Sequence, residues 1–301
     1  MNPAPSSTWF SAPPDWGWLI VFYFFVGGLA GGSYFLAALI DLLGRREDRP
    51  LAHLGYYIAF PCVAISGALL TLDLTRPLRF WHMLIESNTG RPIFKHWSPM
   101  SIGSWALLTF GVFTFLSFLG ALAEDKRLRW PALSHLRPPT LLGTLIATVG
   151  GVAGFYVASY TGVLLSVTNR PIWADTHLLG MLFVVSAAST SAALIMLLAY
   201  RSGLRMPALA SLHRMDNWMI LLELVVLIAL VVSLGPVARA WMNVWGAFLA
   251  LVIVVGNIVP LALSWRGRKD HRRFSLPAAA GLVLAGGFLL RMVIVFSAQS
   301  V

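Results

Sequence analysis

The 301-residue chain has one cysteine, Cys62, set inside an apolar run. A lone cysteine excludes an internal disulfide, a paired-cysteine redox centre and an iron–sulfur cluster ligated by this protein alone. Cys62 itself reads as a small buried apolar residue. Charge is also scarce: 11% of residues are Asp, Glu, Lys or Arg, where a soluble globular protein carries roughly 25%. That shortage excludes most soluble enzymes and any disordered chain. Histidine is missing where a membrane haem needs it. The seven histidines (His53, His82, His96, His135, His177, His213 and His271) all fall between or at the ends of apolar runs, whereas a b-type haem takes axial ligands from inside a bundle. Without haem or cluster, the protein cannot carry electrons across a membrane by itself. The Pro/Ser-rich stretch Met1–Trp16 holds no Lys or Arg. It lacks the positive region of a cleaved signal peptide, so the first apolar run is expected to stay in the protein.

What is present is hydrophobic length. Apolar residues make up 58% of the sequence, and about 20 of them in a row cross a bilayer. Uncharged or nearly uncharged runs cover residues 18–40, 54–72, 101–123, 139–165, 178–199, 218–234, 243–265 and 276–297. Each is long enough for a helix that satisfies its own backbone hydrogen bonds in lipid. The expected fold is therefore all-α and integral to the membrane, with eight transmembrane helices. Small-residue patches such as Gly27-Gly28-Leu29-Ala30-Gly31-Gly32, Gly150-Gly151 and Gly286-Gly287 read as close helix packing, not as phosphate loops.

The net charge of +10 would suggest nucleic acid in a soluble protein. Here the basic residues lie in short gaps between spans, so topology explains them and nucleic acid is not an expected partner. Fifteen fall on one side: Arg45, Arg46 and Arg49; Lys126, Arg127, Arg129 and Arg137; Arg201, Arg205 and Arg214; Arg266, Arg268, Lys269, Arg272 and Arg273. Six fall on the other: Arg76, Arg79, Arg91 and Lys95, then Arg170, then Arg239. The first side is the expected cytoplasmic one, which leaves both termini outside, in the periplasm of a bacterial inner membrane. The loop between spans two and three runs against that rule, with four basic residues on the outer side. It is expected to have another task, and Arg79, Arg91 and Lys95 suit the docking of an acidic or cluster-bearing partner.

Polar residues at membrane depth are costly and mark function more reliably than loop charges. Asp73 ends the second span. Glu223 lies about 8 Å in from the start of the sixth run, and Arg291 about 9 Å from the end of the eighth, at 1.5 Å per residue. Tyr23, Tyr156 and Tyr160 add hydroxyls in spans one and four. On the outer side, Asp73 to His82, Lys95 to Trp105 and Asn169 to His177 collect Arg76, Trp97, Trp105, Asp175 and His177. Each Trp alone fits an interfacial belt. Together these side chains form an aromatic, cationic, hydrogen-bonding face. It suits an amphiphilic ring such as a quinone, with aromatic walls, a donor for each carbonyl and a carboxylate for protons. The Arg-Pro-apolar pattern recurs at Thr75-Arg76-Pro77-Leu78, Gly90-Arg91-Pro92-Ile93 and Asn169-Arg170-Pro171-Ile172. It reads either as a helix-ending proline beside an interfacial Arg or as a weak four-plus-four repeat.

At these residues the sequence resembles the NrfD-like membrane-anchor subunits, typified by the polysulfide reductase membrane subunit. The resemblance covers nearly the whole sequence. It rests on Gly28-Leu29-Ala30-Gly31-Gly32, on Asp73-Leu74-x-Arg76-Pro77-x-Arg79-Phe80-Trp81, and on Ser98-Pro99-Met100-Ser101-x-Gly103-Ser104-Trp105. Further along it rests on Tyr160-Thr161-Gly162-Val163-Leu164-Leu165, on Arg170-Pro171-x-Trp173, and on Gly286-Gly287-Phe288-Leu289-Leu290-Arg291. It implies a haem-free subunit of eight or more helices around two four-helix bundles, here residues 1–165, with the quinone site, and 166–301. It implies a bound menaquinone or ubiquinone near the face where a ferredoxin-like iron–sulfur subunit docks, with a molybdopterin or multihaem catalytic subunit to complete the complex. By position, the family's span-one quinone contact falls on Tyr23, where the polysulfide reductase subunit has a His, and its span-four tyrosine falls on Tyr160. Tyr for His keeps a donor and loses a group that titrates near neutrality.

The leading expectation is thus a quinone-reactive subunit that is not catalytic alone. Tyr23 and Tyr160 are read as hydrogen-bond donors, Asp73 as a proton acceptor steered by Arg76 or Arg291, and Glu223 as part of a proton path or an interfacial ion pair. No metal site is expected. The competing classes are a proton- or ion-translocating transporter-like subunit, toward which Glu223 and Arg291 point, and a passive anchor without quinone chemistry.

Overall fold

The computed structural model describes residues 15–204, 207–270 and 275–300. The Pro/Ser-rich stretch before residue 15 lies outside them, as do Arg205, His271, Arg272 and Arg273 of the charge count and the side chains of Arg266, Arg268 and Lys269.

The first five membrane helices are α1 (Trp18–Leu43), α2 (Arg49–Asp73), α3 (Pro99–Glu124), α4 (Leu141–Ser166) and α5 (Leu179–Arg201), followed by α6 (Pro207–Leu234). The seventh span is composite: α7 (Val244–Leu251), a π-helical stretch Val252–Ile258, and α8 (Val259–Asp270). The eighth is α9 (Ser275–Ser297). Among the described residues, eight helical spans are long and apolar enough to cross a membrane, and the molecule is a multi-pass membrane protein.

Local chemistry sets the starts. Ser98 caps α3, accepting from the Ser101 amide at 3.4 Å, with Pro99 at the first position. Thr140 caps α4, accepting from the Gly143 amide at 3.0 Å. Asn243 caps α7 through the Trp245 amide at 2.9 Å. The sixth helix begins at Pro207, eleven residues before the uncharged run does. The run stops at Asp216, but the helix does not, because Ser189 of α5 donates to the buried Asp216 carboxylate at 2.7 Å. A buried carboxylate with a partner is tolerated inside a span.

Helix α1 packs on α2 and α4, and α3 closes the ring against both. Helix α5 packs on α6 and α9, while α9 and α6 both meet the composite seventh span. The two sets join where α5 lies against α1 and α4, and α9 against α1. The α1 glycines make this possible. A Cβ at Gly31 would collide with the Gly154 carbonyl of α4, and one at Gly32 would lie 2.6 Å from the Ala187 carbonyl of α5. A Cβ at Gly28 would come within 3.0 Å of Arg291 on α9. Gly256 of the π stretch and Gly286 of α9 bring two backbones into direct contact. The largest core cluster, including Phe24, Trp173, Phe183, Leu290 and Ile294, lies across this junction.

The loop between α2 and α3 is ordered over the helix ends. Pro77–Met83 forms a 3-10 turn, and a short hairpin pairs Ile85 with Pro92, its turn made by Gly90 at φ +67°. The ring nitrogen of Trp105 donates to the Ile93 carbonyl at 2.7 Å and ties the hairpin down.

Candidate functional site

Asp73 ends α2, Tyr23 lies in the second turn of α1, and Tyr160 lies near the end of α4. Antiparallel packing therefore brings them to one end of the first four helices. There they line a single cavity of about 120 Å³. Its remaining wall is mostly apolar, with Trp16, Ile20, Leu70, Met83, Met100 and Leu164, and Gly103 and Ser104 lie on the α3 side.

The three polar groups are not equivalent. Tyr160 donates its hydroxyl proton to the Pro99 carbonyl at 2.6 Å. It lies across α3 where Gly103 has no side chain; a Cβ there would collide with the tyrosine ring. In this structure Tyr160 spends its proton on Pro99 and turns only its oxygen lone pairs to other partners. The Tyr23 ring is buried at 3% exposure, and its hydroxyl makes no hydrogen bond among the described residues. It is the uncommitted donor of the cavity. Asp73 is accessible and has neither an ion pair nor a hydrogen bond among the described residues. It pairs with neither of its neighbours Arg76 and Arg79 among the described residues, and Arg76 is exposed.

The other expected residues lie elsewhere. Trp97 is 70% exposed on the loop. Trp105 holds the hairpin. The exposed Asp175 accepts from the Ile172 amide at 3.1 Å, holding Ile172 at φ +70°, a conformation that costs a β-branched residue. His177 is exposed beside it. The same turn buries Trp173 completely. Trp173 donates to the Ile294 carbonyl at 2.7 Å and stacks on Trp16 with ring centroids 5.2 Å apart. The loop between α4 and α5 thus supports the cavity wall from behind, through a residue the charge pattern did not single out.

Arg291 is fully buried in the second set of helices, away from Asp73. Its guanidinium donates to the Phe24 carbonyl at 3.1 Å, the Gly287 carbonyl at 2.6 Å and the Ser186 hydroxyl at 3.2 Å. Its electrostatic partner is Glu223, and it makes no ion pair or hydrogen bond with Asp73 among the described residues. Glu223 is buried and interacts with both Ser186 and Arg291. It lies sixteen residues into α6, about 24 Å along the helix. It is therefore a mid-helix group, because α6 begins well before the uncharged run does.

A second polar assembly, at the opposite end of the first four helices, was not expected. Arg137 is buried and pairs with the buried Asp41 at 2.8 Å, lies over the Tyr56 ring at 4.6 Å and reaches Glu124 at 3.5 Å. Arg49 binds Glu124 at 2.6 Å, and His53 contacts Glu124 at 3.2 Å and Asp125 at 2.7 Å. Tyr56 and Tyr57 donate to Asp41 and Asp125 at 3.1 and 2.6 Å. The available signal was Asp41, a carboxylate at the end of the first run, with Arg137 just before Pro138-Pro139. Among the described residues there is no His/Cys/Asp/Glu cluster that could hold a metal ion.

The sequence matches the family model described as "Polysulphide reductase, NrfD" over residues 11–301. It is 29% identical to a polysulfide reductase polypeptide of Wolinella succinogenes, covering 95% of this protein and 94% of that one. It is 26% identical to Protein NrfD of Escherichia coli, covering 94% and 95%. A shorter match, 28% identical, links 34% of the sequence to 22% of a selenate reductase subunit of Mesobacillus selenatarsenatis. With eight helical spans and a family match that runs to the last residue, the chain belongs to the NrfD family.

Proposed function

We propose that this protein is the quinone-reactive membrane subunit of a respiratory oxidoreductase complex, lying in a bacterial inner membrane. The carrying observation is the cavity where Tyr23, Asp73 and Tyr160 converge. Its donor set fits a quinone. A free phenol donates to a carbonyl, an accessible carboxylate takes a proton, and apolar walls hold a ring. A cavity of about 120 Å³ is near the roughly 150 Å³ that holds benzene, so it takes one ring. Bound quinol supplies two electrons and two protons when oxidised. Tyr23 orients the ring by donating to one oxygen, Tyr160 accepts from the other, and Asp73 receives a released proton and passes it to water at the helix end.

In this reading residues 1–165 form the bundle that holds the quinone, and residues 166–301 buttress it. The relatives' names, which place them in polysulfide and selenate reductases, support a place in a multi-subunit reductase. The electron partner is a ferredoxin-like iron–sulfur subunit, with a molybdopterin or multihaem catalytic subunit beyond it. The basic loop, with Arg79, Arg91, Lys95 and the exposed Leu78, Phe94 and Trp97, is the docking face. The charge bias puts that face in the periplasm. A second reading, proton translocation, is favoured by Asp216, Glu223 and Arg291, which are buried inside the second set of helices.

The test is extraction of the purified native complex. One quinone per complex, lost in a Tyr23→Phe/Asp73→Asn double variant that still assembles, supports the reading. A quinone-free complex that turns over quinol no faster than the isolated partner subunits reduces the protein to a passive anchor. Proton release measured in proteoliposomes, wild type against Glu223→Gln, separates the second reading.

A further inference from the structure

A quinone found in a membrane carries a long aliphatic tail, and the ring cavity has no room for one. Beside it runs a second void, an apolar groove between α2 and α3 enclosing about 510 Å³. The two share Leu70, Leu74, Met83 and Ser104 as lining residues, so the groove adjoins the cavity across these side chains. On α2 the groove face is Phe60, Ala64, Gly67, Thr71 and Leu74; on α3 it is Ser104, Leu108, Gly111 and Phe115. Both sets step by three and four residues, so each helix gives one continuous face. From Phe60 to Leu74 that face is on the order of 20 Å long at 1.5 Å per residue. It leads from the Asp73 end toward the middle of a hydrocarbon core roughly 30 Å thick.

The groove offers an occupant no hydrogen bonds. The Thr71 hydroxyl is spent on the Gly67 carbonyl at 2.8 Å, and that of Ser104 on the Ser101 carbonyl at 2.9 Å. The glycines here also differ from those of the helix junctions. A Cβ on Gly67 or Gly111 would meet no atom within 4 Å. No helix approach requires them; they leave the floor of the groove open. Ala64, Leu108, Val112 and Phe115 are accessible along it, so its long side faces the bilayer.

On the reading of the cavity as a quinone site, we infer that the α2–α3 groove holds the isoprenoid tail and is the lateral entry path. The substrate is then a long-tailed quinol that arrives ring-first from the membrane and not a small water-soluble quinone. The 3-10 turn lies over the junction, with Met83 on the walls of both voids.

The experiment uses the full-length protein in nanodiscs, with affinities expressed per mole fraction of quinone in lipid. The probes are tailless 2-methyl-1,4-naphthoquinone, the same ring with one to four isoprene units, and the matching benzoquinone pair. Wild type is expected to bind at least tenfold more tightly as the tail lengthens. A Gly67→Leu/Gly111→Leu variant is expected to lose at least tenfold in affinity for the four-unit ligand while binding the tailless ring within twofold of wild type. Leucine is the better helix former, and single Gly→Ala variants, with smaller losses in the same direction, control for folding. Two results overturn the groove: wild-type affinity independent of tail length, as expected if ordinary acyl chains fill it, or equal loss for both ligands in the Leu variant. Failure of wild type to bind any ring overturns the quinone reading, and the groove proposal with it.

Discussion

The two ends of the first four helices treat polar groups in opposite ways. At the Asp73 end, a carboxylate and a tyrosine hydroxyl stand without partners beside a void. At the Asp41 end, two arginines, a histidine, three carboxylates and two tyrosines are linked by ion pairs and hydrogen bonds, beside a void of about 260 Å³ that Asp41 and Arg49 help to line. An unpaired buried polar group costs free energy, so the Tyr23 hydroxyl persists where something else uses it, while the exposed Asp73 is open to a proton or a ligand. A set of paired charges such as that around Arg137 serves to fix the register of a helix bundle. The contrast teaches that polarity in a membrane helix does not by itself mark a site: at one end the charges answer one another, and at the other a carboxylate and a phenol are left to an outside partner.

Breaking each end separately tests the contrast. The largest effect is expected at Asp73, which no contact in the structure needs. Asp73→Asn should lower quinol turnover by the complex at least about a hundredfold, the lower range for a positioned proton acceptor. The detergent-solubilised melting midpoint should stay at the wild-type value. Unchanged turnover with quinol bound removes the proton role.

Arg137→Met is the converse. It leaves the buried Asp41 unpaired, and breaking one side of a buried pair costs about 3–5 kcal/mol. The protein that remains folded should bind quinone as wild type does. Adding Asp41→Leu should restore most of the stability, because replacing both partners leaves no buried charge. A double variant no better than the single one shows that the network is needed as a whole, through Glu124 and His53.

The sequence makes the eight spans legible because length and apolarity are all that lipid demands. Their limits are blurred where charge is internally satisfied, as at Asp216 with Ser189. Asp73 was readable as a carboxylate at a span end, whereas Tyr23 and Tyr160 were singled out from Tyr156 by the family resemblance; antiparallel neighbours bring the three ends together. What composition could not separate is direction. Trp105, Asp175 and His177 sit on the same side of the membrane as the cavity. Whether a side chain faces a void, a carbonyl or solvent depends on packing that a linear pattern does not carry. The Asp41–Arg137 pair was invisible for the same reason: its partners are ninety-six residues apart, and each alone looks like a charge at a span end.

Tyr23 and Tyr160 sharpen the contrast within the cavity. A neutral hydrogen bond is worth about 0.5–1.5 kcal/mol, so Tyr23→Phe should weaken quinone binding by up to about tenfold and leave stability alone. Tyr160→Phe loses the bond to the Pro99 carbonyl. It also loses the oxygen that accepts from the quinol, so it should cost about 1 kcal/mol of stability and a comparable part of the quinol affinity. Loss of stability with unchanged affinity removes Tyr160 from the ligand's contacts.

The smallest effect is expected at Asp175, and it separates two readings of the outer face. If Asp175 belonged to the quinone surface, its removal would cost affinity. The geometry instead gives it the Ile172 amide, at a φ of +70° that only this turn imposes. Asp175→Ala should then cost about 1 kcal/mol in denaturant midpoint, with quinone affinity within twofold of wild type. Because the strain is conformational, Ile172→Gly in the same background relieves it without restoring any carboxylate, glycine being free to take positive φ. The Ile172 side chain is fully buried, so the rescue is partial: lost burial opposes relief of strain. Recovery of stability through glycine makes Asp175 a positioning residue that acts on the cavity only through Trp173 and Trp16. No recovery, together with lost affinity, returns Asp175 to the binding surface.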